Sequence, residues 1–256
     1  MIVKGQEVAF YVFLALIGMT IYLIRKGGPI PSIRKIAGLE AIEEAIGRAA
    51  ETGRPVFFTP GAGGVSSASS AIDTMSAIEV LAHVSDLTAK YNLDLMVGVS
   101  QADTHTIADQ TVREAYSRAG QSDAYKPEMV QFLSPQQFGF AGACAGYFER
   151  ERPAAIFLLG WFAAETVTLA EAAALSGAIV IGGMVRYVQL PSLLVSCDYT
   201  LIAEELYVAG AYLSKQPVKM ACIRSQDYGK LAAIALIAIG AVMVTFGSKV
   251  LTDFLK

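Results

Sequence analysis

The run Thr59-Pro60-Gly61-Ala62-Gly63-Gly64-Val65-Ser66-Ser67-Ala68-Ser69-Ser70 is the stretch of this chain best suited to chemistry. Glycines let a backbone approach a ligand closely, and serine hydroxyls can cap a helix or hold phosphate oxygens. A helix beginning after such a loop offers free N–H groups and a partial positive charge, both suited to an anion. The match to known phosphate loops is partial. No lysine follows the last glycine, as a Walker loop requires. Gly61 and Gly63 fit G-x-G-x-x-G, but Ser66 stands where the third glycine belongs. A ribose-binding acid is due near the end of the second apolar run, and Asp103 lies three residues beyond it. A tight strand-to-helix turn with serine caps has the same composition.

Other positions fall on the same rim. Asp103 reads as an N-cap, with His105 in the first helical turn, where the helix start disfavours its protonation. Trp161, the sole tryptophan, and Glu165 follow a later apolar run. Trp161 could stack on a ligand ring and Glu165 could accept from a hydroxyl, or the pair could be a hydrophobic contact and a first-turn charge. Arg186 could bind an anion or be a surface charge. The candidate ligand-binding set is Gly61, Gly63, Gly64, Ser66, Ser67, Asp103, Trp161 and Glu165. No Ser-His-Asp order, histidine pair or acid dyad emerges, so no catalytic residue and no cofactor are assigned. His83 and His105 cannot alone build a metal site. Cys144, Cys197 and Cys222 show neither metal nor disulfide spacing and read as buried thiols of a reducing compartment.

The elements that must position these residues alternate in period. Short apolar runs at Pro55–Thr59, Leu95–Ser100, Met129–Leu133, Ala155–Leu159 and Ala178–Ile181 read as strands, with weaker candidates at Leu193–Cys197 and Val218–Ile223. An amphipathic helix over Gly38–Gly53 precedes them. Helices are expected between them at Ser69–Tyr91, Thr104–Ala119, Pro135–Arg150, Glu165–Leu175 and Ala203–Leu213. Continuous apolar strands separated by helices imply a parallel sheet covered on both faces, an α/β doubly wound, Rossmann-like fold. Ligands of such folds bind beyond the carboxyl ends of the strands, where strand order reverses. With order 3-2-1-4-5, Trp161 faces the Gly61–Ser66 loop. A small-residue stretch, Gly139 to Gly146, suggests close packing on the sheet or on a second subunit.

Hydrophobic residues make up 54% of the chain and charged residues 17%, against about a quarter charged in an ordinary soluble domain. The net charge of −3 gives no basic balance for nucleic acid. Two uncharged seventeen-residue stretches, Val8–Ile24 and Leu231–Gly247, account for much of the imbalance and read as transmembrane helices. No signal-peptide cleavage site follows the first. Lysine and arginine cluster on the domain side of both stretches, which places the domain in the cytoplasm of a two-pass cell-membrane protein. The expected organisation is an extracytoplasmic N-terminus over 1–7, a transmembrane helix over 8–24 and a connector over 25–37. A cytoplasmic α/β domain over 38–228 follows, then a transmembrane helix over 229–248 and an extracytoplasmic tail over 249–256.

The run from Pro31 through Gly38-Leu-Glu-Ala-Ile-Glu-Glu-Ala-Ile-Gly-Arg-Ala-Ala-Glu-Thr-Gly-Arg to Pro55-Val56 resembles a family of uncharacterised prokaryotic membrane proteins, a domain of unknown function. The resemblance implies an anchored α/β domain of unassigned activity and carries no catalytic residues with it. The function expected is an oligomeric scaffold or partner-binding subunit in contact with membrane lipid or a larger membrane complex, holding a small anionic or nucleotide-like ligand at the glycine-rich rim. The rival is a membrane-bound enzyme using a nucleotide-type cofactor there.

Overall fold

A computed structural model describes residues 4–25, 36–214 and 217–245. The chain divides into two compact units, Lys35–Leu213 and the pair of ends Met1–Arg34 with Ser214–Lys256.

The larger unit is a parallel sheet wound on both faces. Its strands are β1 (Val56–Gly61), β2 (Leu95–Val99), β3 (Val130–Phe132), β4 (Ala155–Trp161), β5 (Ile179–Met184) and β6 (Tyr199–Ile202). They lie in the order β3-β2-β1-β4-β5-β6 and every neighbouring pair is parallel. The central strands are buried along nearly their whole length, which is why they read as unbroken apolar runs. Successive side chains still part to opposite faces. Val56 and Phe58 enter one core, with Phe157, Leu159 and Ile181, and Phe57 enters the other, with Ile156, Leu158 and Val180.

Helices α2 (Ala37–Thr52), α3 (Ala71–Tyr91), α4 (Ala102–Arg118) and α8 (Glu204–Ser214) supply the first core. Leu39, Ile42, Ala45, Ile46 and Ala49 form the buried stripe of α2, as their spacing requires. Helices α5 (Gln137–Glu151), α6 (Thr166–Leu175) and α7 (Leu190–Ser196) supply the second. The chain changes faces in the crossover that carries α5, so strand order reverses between β1 and β4. That junction is the switch point where this topology binds ligands.

Two expected strands are helical. Leu193–Cys197 lies in α7 and its exit. Pro191 sits at the start of that helix, Leu190 and Leu193 are buried one turn apart, and Leu194 and Val195 face outward, a helical and not an alternating pattern. Val218–Ile223 opens α9 (Pro217–Thr245), again with proline at the start. The sixth strand comes instead from Tyr199–Ile202, a short edge strand too polar to announce itself. The buried face of α5 is Phe140, Ala141, Cys144 and Phe148, so two small residues of the Gly139–Gly146 stretch pack into the core while a side chain at Gly142 would meet nothing; Phe148 meets Phe57 edge-on at 4.8 Å.

The smaller unit pairs α1 (Lys4–Arg25) with α9, Phe13 packing at Gly229. Thr20 is buried in this unit and returns its hydroxyl to the Leu16 carbonyl at 2.8 Å. The transmembrane spans expected over 8–24 and 229–248 are overturned: among the described residues, no helix is long and apolar enough to cross a membrane. The physical reason is length. Seventeen uncharged residues from Val8 to Ile24 rise about 25 Å, short of a hydrocarbon core of about 30 Å, and α1 carries Lys4 and Glu7 in its first turn. In α9, Lys219, Arg224, Asp227 and Lys230 occupy the first half. The orientation argument from lysine and arginine counts therefore has no span to act on. The Gly27–Ser32 connector, Arg34, Lys35, Lys215, Gly247, Ser248 and the 249–256 tail lie outside the described residues.

Candidate ligand site at the β1–β4 switch point

Two glycines fix the switch point. Gly61 ends β1 at φ +88° and Gly160 lies in β4 at φ +121°, both in the region that favours glycine. A Cβ on Gly61 would collide with the Trp161 carbonyl, and one on Gly160 with the Pro60 carbonyl. Strand pairing slips there, between Thr59 and Gly61, and Ala62 N–H then donates to the Trp161 carbonyl at 2.9 Å. The two backbones are pinched together, so the loops after β1 and β4 leave the sheet from one point.

The loop after β1 takes nine residues, 62–70, before α3 begins at Ala71. A dinucleotide fingerprint would start its helix at once. Instead this loop is tied to the start of α4. Gln101 Nε2 donates to the Ala62 carbonyl at 3.4 Å, Thr104 Oγ1 to the Gly63 carbonyl at 3.2 Å and Ser70 Oγ to the Gly64 carbonyl at 2.8 Å. Asp103 occupies the place expected for a ligand's anion. Its Oδ2 accepts the Ser66 N–H at 2.8 Å and its Oδ1 accepts the Thr104 N–H at 2.7 Å. Burial raises the Asp103 pKa, but the hydrogen bonds from Ser66 and Thr104 outweigh it and hold the carboxyl below its usual value. Gly64 lets that carboxylate approach, since a Cβ there would stand 3.1 Å from Oδ2. Asp103 is also not the N-cap of α4. The helix begins at Ala102, behind Gln101, and Asp103 lies inside its first turn. His105 Nε2 is paired with the Val130 carbonyl at 3.1 Å, tying α4 to β3. Ser67 pairs with Ser69 on the exposed outside of the loop.

The β4 side is unlike this. Glu165 is fully buried, at 0% exposure. Its Oε1 accepts the Ala163 N–H at 3.0 Å, and its Oε2 makes no hydrogen bond. Trp161 Nε1 is buried without a partner, and the Arg186 guanidinium lies over the indole ring, 5.0 Å from its centre. Across the junction, Thr74 on α3 is also at 0% exposure, with an unpaired hydroxyl. Gly63 brings these together: a Cβ there would lie 2.7 Å from Trp161 Cβ and 2.9 Å from Thr74 Oγ1. Buried polar atoms without partners are rare in native proteins, and the residues that carry two of them, Trp161 and Thr74, flank Gly63.

The structure thus gathers the expected residues into two groups. Gly64, Ser66 and Asp103 form one, and Gly61, Gly63 and Trp161 the other. Glu165 follows Trp161 by four residues, and Ser67 joins neither. Thr74 was missed because a lone threonine in a helix carries no signal. The available clue was its place one turn after Ser70, on the side of α3 that faces the loop. Among the described residues no three His, Cys, Asp or Glu side chains come together as a metal site. Cys144 is buried and its thiol pKa is pushed up by that burial, while burial and then Asp198 push half-buried Cys197 up to about 12.

Fold and rim together define a doubly wound, Rossmann-like α/β domain whose first loop is tied to the start of α4. The chain belongs to the DUF6754 family, a domain of unknown function, which matches residues 3–255 and agrees with the resemblance to an uncharacterised domain family read from Pro31–Val56. No curated protein and no solved structure matches the chain.

Proposed function

We propose that this protein is a non-catalytic binding subunit whose α/β domain holds a small ligand at the β1–β4 switch point. The observation that supports it is the trio of buried, unpaired polar atoms, Thr74 Oγ1, Trp161 Nε1 and Glu165 Oε2. Each costs about 1–3 kcal/mol when left unpaired, and a ligand that pairs them recovers that cost. The arrangement turns the reading away from phosphate at Ser66, because the Asp103 carboxylate already holds that N–H and would repel a second anion. It likewise disfavours the rival, an enzyme using a nucleotide-type cofactor there, because Asp103 is not free to read a ribose.

The test is a thermal-shift screen of the full chain against small metabolites, repeated with Gly63→Ala. The added methyl would press on Trp161 Cβ and Thr74 Oγ1, at 2.7 and 2.9 Å, and the displacement of those two residues should abolish any stabilisation by ligand. A ligand response that survives Gly63→Ala would sink the placement.

A second reading, assembly into a homo-oligomer through the helix pair, rests on its exposed apolar side chains. Phe10, Tyr11, Met19 and Tyr22 on α1, and Leu231, Ile234 and Ile237 on α9, are all more than half exposed although the helices pack on each other. Contiguous apolar surface of this kind marks an interaction site. Light scattering across micromolar concentrations checks it. A multiple of the 27.2 kDa chain mass is the expected result, and a monomer throughout would remove the reading.

A further inference from the structure

We propose that the carboxyl end of the sheet is a self-association face, covered by a second copy of this chain. The inference goes beyond the ligand reading and does not depend on it. In a parallel sheet all strands finish, and the helices after them begin, at one end of the domain. Every strand but β2 leads into an exposed apolar side chain there. Phe138 opens α5 after β3, Ile72 opens α3 after β1, and Val167 opens α6 after β4. Tyr187 and Val188 follow β5, and Ile202 closes β6. Given the strand order β3-β2-β1-β4-β5-β6, these side chains run across the width of the sheet and over both helix layers. The opposite end differs. Helices α3, α4 and α5 finish there in exposed charges, among them Lys90, Arg118, Glu149, Arg150 and Glu151. Of the large apolar side chains, Tyr91 and Leu175 are exposed at that end, and Leu194 and Val195 on the side, along α7. Apolar surface gathered on one face marks an interaction site, whereas scattered apolar side chains among charges do not.

Charge and size name the occupant. Arg186 follows β5 and Glu204 opens α8 after β6, so opposite exposed charges stand at the ends of neighbouring strands. A face that carries both signs can meet its own copy, since a two-fold axis sets each Arg186 toward the other copy's Glu204. The net charge of −3 opposes such pairing only weakly. An anionic lipid surface fits less well, because it calls for a basic cluster. Among the described residues of these strand ends and helix starts Arg186 is the one cation, and Asp103 and Glu205 add negative charge, each already accepting backbone N–H groups. The six strands make the face about 24 Å wide at about 4.8 Å per spacing, and helices about 10 Å across on each side make it about 30 Å deep. That outline, on the order of 700 Å², is close to the roughly 800 Å² that each partner gives to a standard interface.

The experiment uses the full chain. Ile72→Cys, Phe138→Cys and Val188→Cys place thiols on the face, and Leu175→Cys is the control at the other end, 81% exposed against 84% for Val188. Each variant alone, and each mixed pair of face variants, is treated with a short bis-maleimide, with wild type giving the background from the native cysteines. Mixed pairs are included because a two-fold interface sets one residue against a different one. At least one face variant or mixed pair should give cross-linked dimer several-fold above wild type and Leu175→Cys. In a second arm, Tyr187→Glu combined with Val188→Glu should fold, since both positions are exposed, and should weaken association by about tenfold or more on dilution, because it buries carboxylates against the other copy. Leu175→Glu should leave association unchanged. No cross-link above background among the face variants overturns the proposal and leaves the face to a different partner, and so does association that the double variant does not weaken. Binding to phosphatidylcholine vesicles that the double variant loses, with no face cross-link in solution, assigns the face to lipid and overturns it as well. Copies that associate without a face cross-link leave the helix-pair reading standing alone, and the ligand reading is untouched by any of these results.

Discussion

The two loops that leave the switch point carry opposite polar accounts. After β1, the loop from Ala62 to Ser70 spends its polar groups internally: Gln101, Thr104 and Ser70 hold three successive carbonyls, and Asp103 holds an amide. After β4, the loop to α6 leaves Trp161 Nε1 and Glu165 Oε2 buried and unpaired. The loop with the stronger sequence signature for a ligand is the one already closed by Ser70 and by side chains at the start of α4. A glycine-rich turn and a nearby acid are the ingredients of a phosphate site, but here the acid reaches the turn itself. The two loops differ in which groups are left over, and leftover buried groups are what a ligand can pair.

The pinch that both loops share is the place to break the comparison most severely. Gly160→Val or Gly61→Val would force a branched side chain into a neighbouring carbonyl at a φ such residues avoid, so a loss of more than about 4 kcal/mol, or no folded protein, is expected. Gly142→Ala is the control. It stands on an exposed helix face with nothing within 4 Å and should be neutral or gain up to about 1 kcal/mol. Denaturant midpoints of the three variants measure this. A Gly160→Val protein of native stability would mean that the two loops are not bound to one point.

On the closed side, Asp103→Asn should destabilise the domain by about 1 kcal/mol at neutral pH, an amount discounted for the partial exposure of the group. The pH dependence gives the sign. The folded-state pKa of Asp103 is lowered, so its contribution is present above the unfolded value near 4 and is lost as pH falls through the lower folded value. Wild type and Asp103→Asn should therefore differ at pH 7 and converge in acid. Equal stability at pH 7 would show that the loop does not depend on this carboxylate.

On the open side the sign reverses. Thr74→Val replaces an unpaired buried hydroxyl by a methyl of similar shape, and the ligand-free protein should gain about 1 kcal/mol. Loss of stability would mean the hydroxyl is paired in solution, and the contrast between the loops would shrink.

Much of this was legible in the sequence, for physical reasons that can be named. Fully buried strands such as Phe57–Phe58 and Ile156–Leu159 must be apolar on both faces, so four of the six described strands were visible as unbroken runs, and the edge strand β3 was visible through the apolar residues Met129 and Leu133 that flank it. Tyr199–Ile202 was not, because an edge strand with one buried residue has little apolar content to show. Leu193–Cys197 misled because a one-turn apolar stripe and a short buried strand share composition. The ends misled because an uncharged stretch of seventeen residues is close to spanning length, and only the helix bounds place Glu7, Arg224 and Asp227 within the helices. At the site, Gly61 and Trp161 were legible as types and Thr74 was not. The pairing of Asp103 with Ser66 joins residues 37 apart in sequence, and no local pattern encodes it.

The smallest effect sharpens the comparison most finely, because it separates packing from chemistry on the β4 side. The Arg186 guanidinium stacked on an indole at a partly exposed site contributes about 0.5–1 kcal/mol, so Arg186→Gln should lower the melting temperature by only a few degrees. Its spectroscopic effect should be larger. Trp161 is the sole tryptophan, so all indole emission reports this ring. With the guanidinium gone, one ring face loses its cover, and collisional quenching by neutral acrylamide should rise. Acrylamide carries no charge, so the change reads access and not electrostatics. If quenching rises while stability barely moves, Arg186 is a cover on the site and not a support of the fold, which is the role a ligand-facing cation requires. If quenching is unchanged, the guanidinium does not shield the ring in solution, and the β4 loop keeps its unpaired Trp161 and Glu165 atoms but loses its cation.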